Sequence, residues 1–69
     1  MKLSARNVLP GKVVSIKEGP ATTLVKIEVA PGLIISSSIT TEGAEELNLK
    51  EGSTAYAVIK ASSVLLAVE

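Results

Sequence analysis

The absence of both cysteine and histidine is the feature that most constrains how this chain of 69 residues can fold. A chain of this length buries only about 60% of the surface that its unfolded form exposes, which leaves a marginal core. Small domains usually compensate with disulfides, a structural metal or association with other chains. Disulfides need cysteine and structural zinc sites need cysteine or histidine, so we expect this chain to be stabilised by association.

The apolar residues are almost entirely aliphatic, and this supports the same expectation. Apolar residues make up 46% of the chain, and Tyr56 is the only aromatic residue among them. So much valine, isoleucine, leucine and alanine exceeds what the interior of one small barrel can hide. We therefore expect the outer faces of some strands to contact a neighbouring subunit.

The inventory of reactive side chains argues against an enzyme. The chain has no aspartate, histidine or cysteine, so the usual pairs of nucleophile and base cannot be assembled, nor can the usual sets of metal-cation ligands. Three of its seven glutamates, Glu42, Glu45 and Glu46, crowd one short segment that is typical of a solvated helix face. We predict a non-catalytic protein without a bound metal cation.

The charge balance and the hydropathy pattern narrow the choice of partners. Seven basic and seven acidic residues cancel, so there is no broad positive field to attract nucleic acid. No stretch approaches the eighteen or so apolar residues of a membrane span, and Met1-Lys2 lacks the apolar segment of a secretory signal. We expect a cytoplasmic protein with neither nucleic acid nor membrane as a partner.

The pattern of turns and apolar residues predicts a mainly β fold. Leu9-Pro10-Gly11 is expected to break the N-terminal segment, and Gly19-Pro20 and Pro31-Gly32 mark turns. Thr40 is a candidate N-cap for a helix of two turns at most, anchored by Leu47 and Leu49. We predict one domain over residues 1–69, a small five-stranded OB-like barrel with one short helix before the fourth strand. The predicted strands are 12–17, 23–30, 33–39, 55–61 and 64–68.

Two of these strands carry further information. In strand 23–30, apolar Val25, Ile27 and Val29 alternate with charged residues, as in a half-buried strand. The last two strands are instead apolar at successive positions, which is typical of strands covered on both sides. Because the barrel interior covers only one side, the other should meet a neighbouring subunit.

The side chains that could bind a small oxyanion lie near the two ends of the chain and at the helix start. A desolvated tetrahedral dianion needs several converging donors, because each unpaired oxygen costs about 1–3 kcal/mol. Arg6 offers a two-pronged guanidinium and Lys60 an ammonium, and the amides of residues 41–43 could present a helix N-terminus. Hydroxyl donors are available at Ser4, Thr40 and Ser62.

Each of these residues also has a simpler interpretation. A single arginine near a terminus is commonly solvated, and Lys60 could be an edge residue whose ammonium reaches water. Thr40 and Thr41 are ordinary helix caps. The triple serine Ser36-Ser37-Ser38 is typical of an exposed or subunit-edge strand. The residues by themselves therefore leave the oxyanion site and these alternatives open.

The combined pattern resembles a known family. Ser4-Ala5-Arg6-Asn7 is followed by Gly11-Lys12-Val13, by Ile39-Thr40 at a helix start, and by Val58-Ile59-Lys60-Ala61. In this combination and order the chain resembles the molbindins, which are small cytoplasmic molybdate-binding proteins with a single Mop, or TOBE-type, domain. The resemblance covers essentially the whole chain. It implies an OB-like barrel in a homohexamer, a trimer of dimers, that holds molybdate or tungstate at subunit interfaces and has no organic cofactor.

The resemblance also implies which residues bind the anion. The N-terminal ligands would be Ser4 and Arg6, with Ala5 and Asn7 beside them, and the C-terminal ligands would be Lys60 with Ala61 and Ser62. The two halves would come from different chains. Thr40 matches a hydroxyl at the helix start, and Gly43 stands where relatives often have serine, so that only its amide could donate. Gly19 and Ala21 are candidates for a second class of site, where Pro20 lacks an N–H.

We expect a non-catalytic oligomer that stores and buffers molybdate or tungstate. One alternative is a ligand-free assembly or regulatory module, like the TOBE domains of transport ATPases and transcription regulators. A second alternative, an OB-fold binder of single-stranded nucleic acid, would need stacking aromatics and a basic groove. A single tyrosine and a net charge of zero do not provide these features.

Overall fold

The computed structural model describes Ser4 and residues 6–69, and the candidate ligand Ala5 lies outside the described residues. A mainly β fold with one short helix before the fourth strand agrees with the sequence prediction. Four strands are present in the described chain, not the five that we predicted. The elements in chain order are β1 (Asn7–Glu18), β2 (Thr22–Ala30), β3 (Leu33–Thr40), α1 (Thr41–Glu46), β4 (Thr54–Ile59) and a 3₁₀ turn (Ala61–Ser63).

The four strands form one antiparallel sheet in the order β3-β2-β1-β4. The first half of β1 pairs with β4 and its second half pairs with β2. Lys12 lies at the crossover, opposite both Glu28 and Thr54. Because one strand serves two partners in succession, the sheet curls, and its end strands β3 and β4 are left unpaired with each other.

The predicted break at Leu9-Pro10-Gly11 was wrong, since all three residues lie inside β1. Pro10 is opposite Tyr56 of β4. In the part of β1 before Lys12 no partner lies on the β2 side, and proline is tolerated where one edge of a strand makes no ladder bonds. The turn residues therefore mark the region where β1 changes partners and do not end the strand.

Gly11 allows β1 and β2 to approach closely at this crossover. A Cβ atom at Gly11 would lie 2.8 Å from the carbonyl oxygen of Glu28 and 3.0 Å from the Val29 side chain. Real Cβ atoms do not approach a backbone oxygen this closely. The absence of a side chain, rather than a turn conformation, is what this position requires.

The core of the described chain is small. Val13, Val25 and Ile27 are its only buried apolar side chains in that part of the molecule. The alternation predicted for β2 is confirmed at Val25 and Ile27, which are buried, and at Lys26, which is exposed. A bulge after Val13 changes the inward phase of β1, so that Ile16 is the next residue to pack on this core.

The helix begins where the sequence predicted. The Thr40 side chain accepts a hydrogen bond of 2.9 Å from the Gly43 N–H, which caps the six residues of α1. Leu49 packs against the core as predicted. Leu47 does not, because it is 66% exposed.

The end of the chain departs most from the prediction. The strand predicted to reach Ala61 ends at Ile59, and Lys60 is the N-cap of the 3₁₀ turn that follows. The strand predicted at 64–68 does not form within the described chain. We call 64–68 the C-terminal segment. Its Leu65, Leu66 and Val68 side chains are 91%, 93% and 96% exposed. None of its residues pairs with another strand of the described chain.

Candidate functional site

The two ends of the chain meet along the β1–β4 ladder. Asn7 is the register partner of Ile59, and its side-chain Nδ2 donates a hydrogen bond of 3.1 Å to the Ile59 carbonyl oxygen. Arg6 precedes Asn7 and Lys60 follows Ile59, so both cations leave the ladder at the same end. We call these four residues, together with the neighbouring Ser4, Ala61 and Ser62, the Arg6–Lys60 edge.

Which chains contribute the ligands of one anion site stays a prediction. The expectation placed the Arg6 and Lys60 halves on different subunits. The antiparallel register also brings the two segments to one end of a ladder within a single chain. The two cations thus flank the same end of the ladder before any partner is added.

The groups at this edge are open to water. Ser4 and Arg6 are exposed, and so are Lys60, Ala61 and Ser62. Ala61 and Ser62 begin the 3₁₀ turn, in which Ser63 donates to the Lys60 carbonyl at 2.8 Å and Val64 to the Ala61 carbonyl at 3.2 Å. The first N–H groups of such a turn have no acceptor inside it. The edge therefore combines two cations with backbone donors, but one chain does not remove them from water.

The residues predicted at the helix start form a second group, which we call the Thr40 corner and which includes Thr40, Thr41 and Gly43. The Gly43 N–H is occupied by the capping bond to the Thr40 side chain. That bond uses a lone pair of the Thr40 hydroxyl and leaves its hydrogen able to donate. In this chain the hydroxyl of Thr40, rather than the amide of Gly43, is thus the available donor.

The loop that carries Gly19 and Ala21 is tied to the Thr40 corner. The Thr41 hydroxyl donates to the Gly19 carbonyl at 2.6 Å, and the Thr41 N–H donates to the Ala21 carbonyl at 2.9 Å. The Gly19 N–H donates to the Thr22 carbonyl at 3.0 Å. These bonds hold the loop against the helix start and engage both the N–H and the carbonyl of Gly19.

The Arg6–Lys60 edge and the Thr40 corner lie at opposite ends of β1. Asn7 begins this strand of 12 residues and Glu18 ends it. Glu18 is opposite Thr23, and the adjacent Thr22 is opposite Thr40. The described side-chain hydrogen bonds of the Arg6–Lys60 edge stay within that edge, and those of the Thr40 corner do not reach it.

An apolar groove of about 620 Å³ lies between β3 and β4, and it was not predicted from the sequence. We call it the β3–β4 groove. The apolar residues at successive positions of β4 were the signal, but they were assigned to a subunit contact on the outside of a closed barrel. The groove is lined mainly by residues of the two end strands and the loop before β4, including Ile35, Ser37, Ile39, Leu49, Ala57 and Ile59.

The acidic side chains do not form a cation site within the described part of the chain. No group of three or more aspartate, glutamate, histidine or cysteine residues there could hold a metal ion. Among the described residues, no helix is long and apolar enough to cross a membrane.

Comparison with known proteins places the chain in a family. The TOBE domain model matches residues 3–66. The chain is 49% identical over its full length, and that of the relative, to a probable molybdenum-pterin-binding protein of Haemophilus influenzae. It is 47% identical to molybdenum-pterin-binding protein 1 of Clostridium pasteurianum, covering 96% of this chain and 97% of the relative.

Two solved structures have the same fold. MopII from Clostridium pasteurianum superposes with a TM-score of 0.90 at 43% identity, over 97% of this chain and all of that one. The cytoplasmic molybdate-binding protein ModG, in a form with molybdate bound, superposes with a TM-score of 0.95 at 45% identity, over all of this chain and 49% of that one. The chain therefore belongs to the TOBE domain family, together with the molybdenum-pterin-binding proteins that it matches over nearly their whole length.

Proposed function

We propose that this protein is a non-catalytic homo-oligomer that binds molybdate or tungstate and acts as a cytoplasmic store and buffer of the oxyanion. The proposal treats residues 1–69 as one domain, whose copies assemble as a hexamer, a trimer of dimers. The names of its relatives support the choice of anion, since these proteins are called molybdenum-pterin-binding and molybdate-binding proteins.

The observation that carries the proposal is the pairing of Asn7 with Ile59, which brings the Arg6 and Lys60 segments to one end of a ladder. A dianion interacts favourably with two neighbouring cations, and the guanidinium and ammonium bonds to it are charge-assisted. Hydroxyls of Ser4 and Ser62 and the first amides of the 3₁₀ turn would complete a set of donors.

The exposure of this edge supports a site at a subunit interface. Arg6 and Lys60 are solvated in one chain, and an electrostatic contact in water is weak. A second subunit that covers the edge would exclude water and could bring its own Thr40 hydroxyl as a further donor. The proposed division therefore lies between the Arg6–Lys60 edge of one copy and the Thr40 corner of another.

Selectivity would follow from the size of the site and from the kind of groups that line it. Molybdate and tungstate are larger than sulfate, so a preformed pocket can discriminate against the smaller anion. Phosphate at neutral pH carries a proton and needs an acceptor. The proposed ligands of the edge offer donors, so we expect phosphate to be disfavoured.

Calorimetric titration of the parent protein with molybdate, tungstate and sulfate tests the proposal. We expect binding of the first two and much weaker binding of sulfate. Arg6→Ala should lower the affinity for molybdate about tenfold or more, because it removes a charged hydrogen bond worth roughly 1.5–3 kcal/mol. Lys50→Ala is the matched control, since Lys50 is an exposed cation in the loop between α1 and β4 and belongs to neither group.

The outcomes separate the hypotheses. No heat with any of the three anions, on a protein confirmed as an oligomer, would refute anion binding and favour a ligand-free assembly module. Equal affinities of the parent and Arg6→Ala would refute the role of Arg6. Light scattering tests the assembly, and a stable monomer would contradict the shared site.

A further inference from the structure

We propose that Thr41 is a positioning residue for anion binding. Its hydroxyl does not touch the anion and instead holds the neighbouring Thr40 hydroxyl in the orientation from which Thr40 can donate. Thr41 would thus act through Thr40 in the proposed function, on which this inference rests. Two adjacent threonines that look alike in the sequence would have different tasks.

The two hydroxyls differ in their exposure and in their partners. Thr40 is exposed, whereas Thr41 is half-buried. The Thr41 hydroxyl donates to the Gly19 carbonyl at 2.6 Å, and because a hydroxyl has one hydrogen, it has none left for an anion. The Thr40 hydroxyl accepts a bond of 2.9 Å from the Gly43 N–H and keeps its own hydrogen. Of the two, only Thr40 can donate to an anion without breaking a bond of the fold.

The backbone between the two threonines is held by strand pairing. Thr40 is the last residue of β3 and is opposite Thr22. The Thr41 N–H donates to the Ala21 carbonyl at 2.9 Å, which fixes the peptide plane that joins Thr40 to Thr41. The orientation of this plane sets the ψ angle of Thr40, which is 147° at a φ of −68°. From this extended conformation an N-cap side chain reaches the N–H of the third helical residue.

The Thr41 side chain adds a second restraint to the same point. Its hydroxyl bonds to the Gly19 carbonyl and lies 2.8 Å from the Thr23 hydroxyl. Thr23 is 1% exposed, so it is a fixed point inside the sheet. The first residue of α1 is therefore tied to β2 and to the loop before it. Without the Thr41 hydroxyl, the bond from the Thr41 N–H to Ala21 would have to hold the helix start alone.

A restrained donor binds an anion better than a mobile one. A side chain that moves freely must lose that freedom on binding, and this loss lowers the affinity. The Gly43 N–H occupies one lone pair of the Thr40 hydroxyl, so the hydroxyl hydrogen is restricted to directions away from this bond. A shift of the helix start would change the cap and the direction of this hydrogen together. The Thr41 bonds therefore pre-organise the Thr40 donor.

Molybdate titration of the parent, Thr41→Val, Thr40→Ala and the double variant tests the inference. Valine has nearly the shape of threonine but lacks the hydroxyl. We expect Thr41→Val to lower the affinity about three- to tenfold, and by no more than Thr40→Ala, since the lost effect is part of one hydrogen bond to a charged group. In the Thr40→Ala background the same change should have no further effect, because the donor that Thr41 positions is already gone.

Further variants separate positioning from stability. Thr41→Ser keeps the hydroxyl and should bind molybdate within about twofold of the parent. Ile27→Val is the matched control, because it removes a methyl group from a buried side chain that belongs to neither the Thr40 corner nor the Arg6–Lys60 edge. It should lower stability and leave the affinity unaltered.

Each other result would overturn the inference. Parent-like affinity of Thr41→Val would do so, and so would an equal loss in both backgrounds, since the Thr41 hydroxyl would then act through something other than Thr40. A loss in Ile27→Val as large as that in Thr41→Val would show that stability alone explains the effect. If the parent itself does not bind molybdate, the proposed function fails as well. If the parent binds and the affinity ignores Thr41, only the positioning role is refuted.

Thr23→Val replaces Thr41→Val in the same two backgrounds if the latter does not fold. It removes the donor to Thr41 and leaves the bond from Thr41 to Gly19. We therefore expect a smaller loss of about two- to threefold, and only where Thr40 is present. An unchanged affinity, or the same loss in the Thr40→Ala background, would overturn the inference.

Discussion

The hydroxyl oxygens of Thr23 and Thr41 lie 2.8 Å apart, and this hydrogen bond connects strand β2 to the first residue of α1. Thr41 donates its only hydroxyl hydrogen to the Gly19 carbonyl, so Thr23 must be the donor to Thr41. Thr23 is 1% exposed. This short chain of hydrogen bonds holds the Gly19 loop, strand β2 and the Thr40 corner in one arrangement.

Thr41→Val should destabilise the fold by about 1–3 kcal/mol, because it leaves the buried Thr23 hydroxyl and the Gly19 carbonyl without their partner. Thr41→Ser keeps the hydroxyl and should retain most of the stability. Urea unfolding measures both. The double variant Thr23→Val/Thr41→Val should lose less than the sum of the two single losses, and strict additivity would argue against this coupling.

Gly11→Ala should destabilise the protein by about 1–3 kcal/mol, the usual range for an added methyl group in a tightly packed place. The new methyl group would meet the Glu28 carbonyl, which belongs to the backbone of a paired strand and cannot move away. Gly43→Ala is the comparison, since its Cβ would meet only the movable Thr40 hydroxyl at 2.9 Å. Thermal unfolding should rank Gly11→Ala as the more harmful change, and the opposite order would contradict the close approach at the crossover.

Thr40→Ala removes the cap of α1 and should lower stability by about 0.5–2 kcal/mol. Thr40→Ser can accept the same bond from the Gly43 N–H and should be close to the parent. If Thr40 also donates to the anion, the alanine variant loses molybdate affinity and the serine variant keeps it. Calorimetry on both variants separates the two roles, because a cap without a binding role would change stability and leave affinity unaltered.

Asn7→Ala should weaken molybdate binding even though Asn7 need not touch the anion. Its side chain bonds to the Ile59 carbonyl and so positions the segment that carries Lys60. Asn7→Asp cannot donate this bond and adds a negative charge beside the proposed site, so its loss of affinity should be larger. Titration at low and high salt checks this order, since only the charge effect of the aspartate is screened. Parent-like binding by Asn7→Asp would rule out an anion at this edge.

The elements predicted best from the sequence are those set by local chemistry. The alternation around Val25 and Ile27 indicated one buried face of β2, and Thr40 followed by Glu42 indicated the start of α1. Pro10 and Gly11 misled the prediction, because the same residues that favour turns are also tolerated at an unpaired strand edge and at a close crossing of strands. Local preference alone does not distinguish these settings.

In the candidate site, too, local chemistry could be predicted from the sequence and long-range pairing could not. Arg6 and Lys60 were recognisable as candidate anion ligands by their chemistry and by the resemblance to the molbindins. Their placement at one end of a ladder in the same chain depends on the register between Asn7 and Ile59. This register involves residues 52 positions apart, and nothing in either segment alone specifies its partner.

The sequence by itself determined that this chain is mainly β and that it carries an arginine and a lysine suited to an oxyanion, and its aliphatic excess led us to expect association. These properties follow from side-chain chemistry and from periodicity over a few residues. Only the tertiary structure decided which segments meet, where β1 changes partners, and that the last apolar segment lies outside its own sheet with a groove left open. Those outcomes depend on strand pairing between distant residues, whose free energy belongs to the assembled sheet and to no single segment.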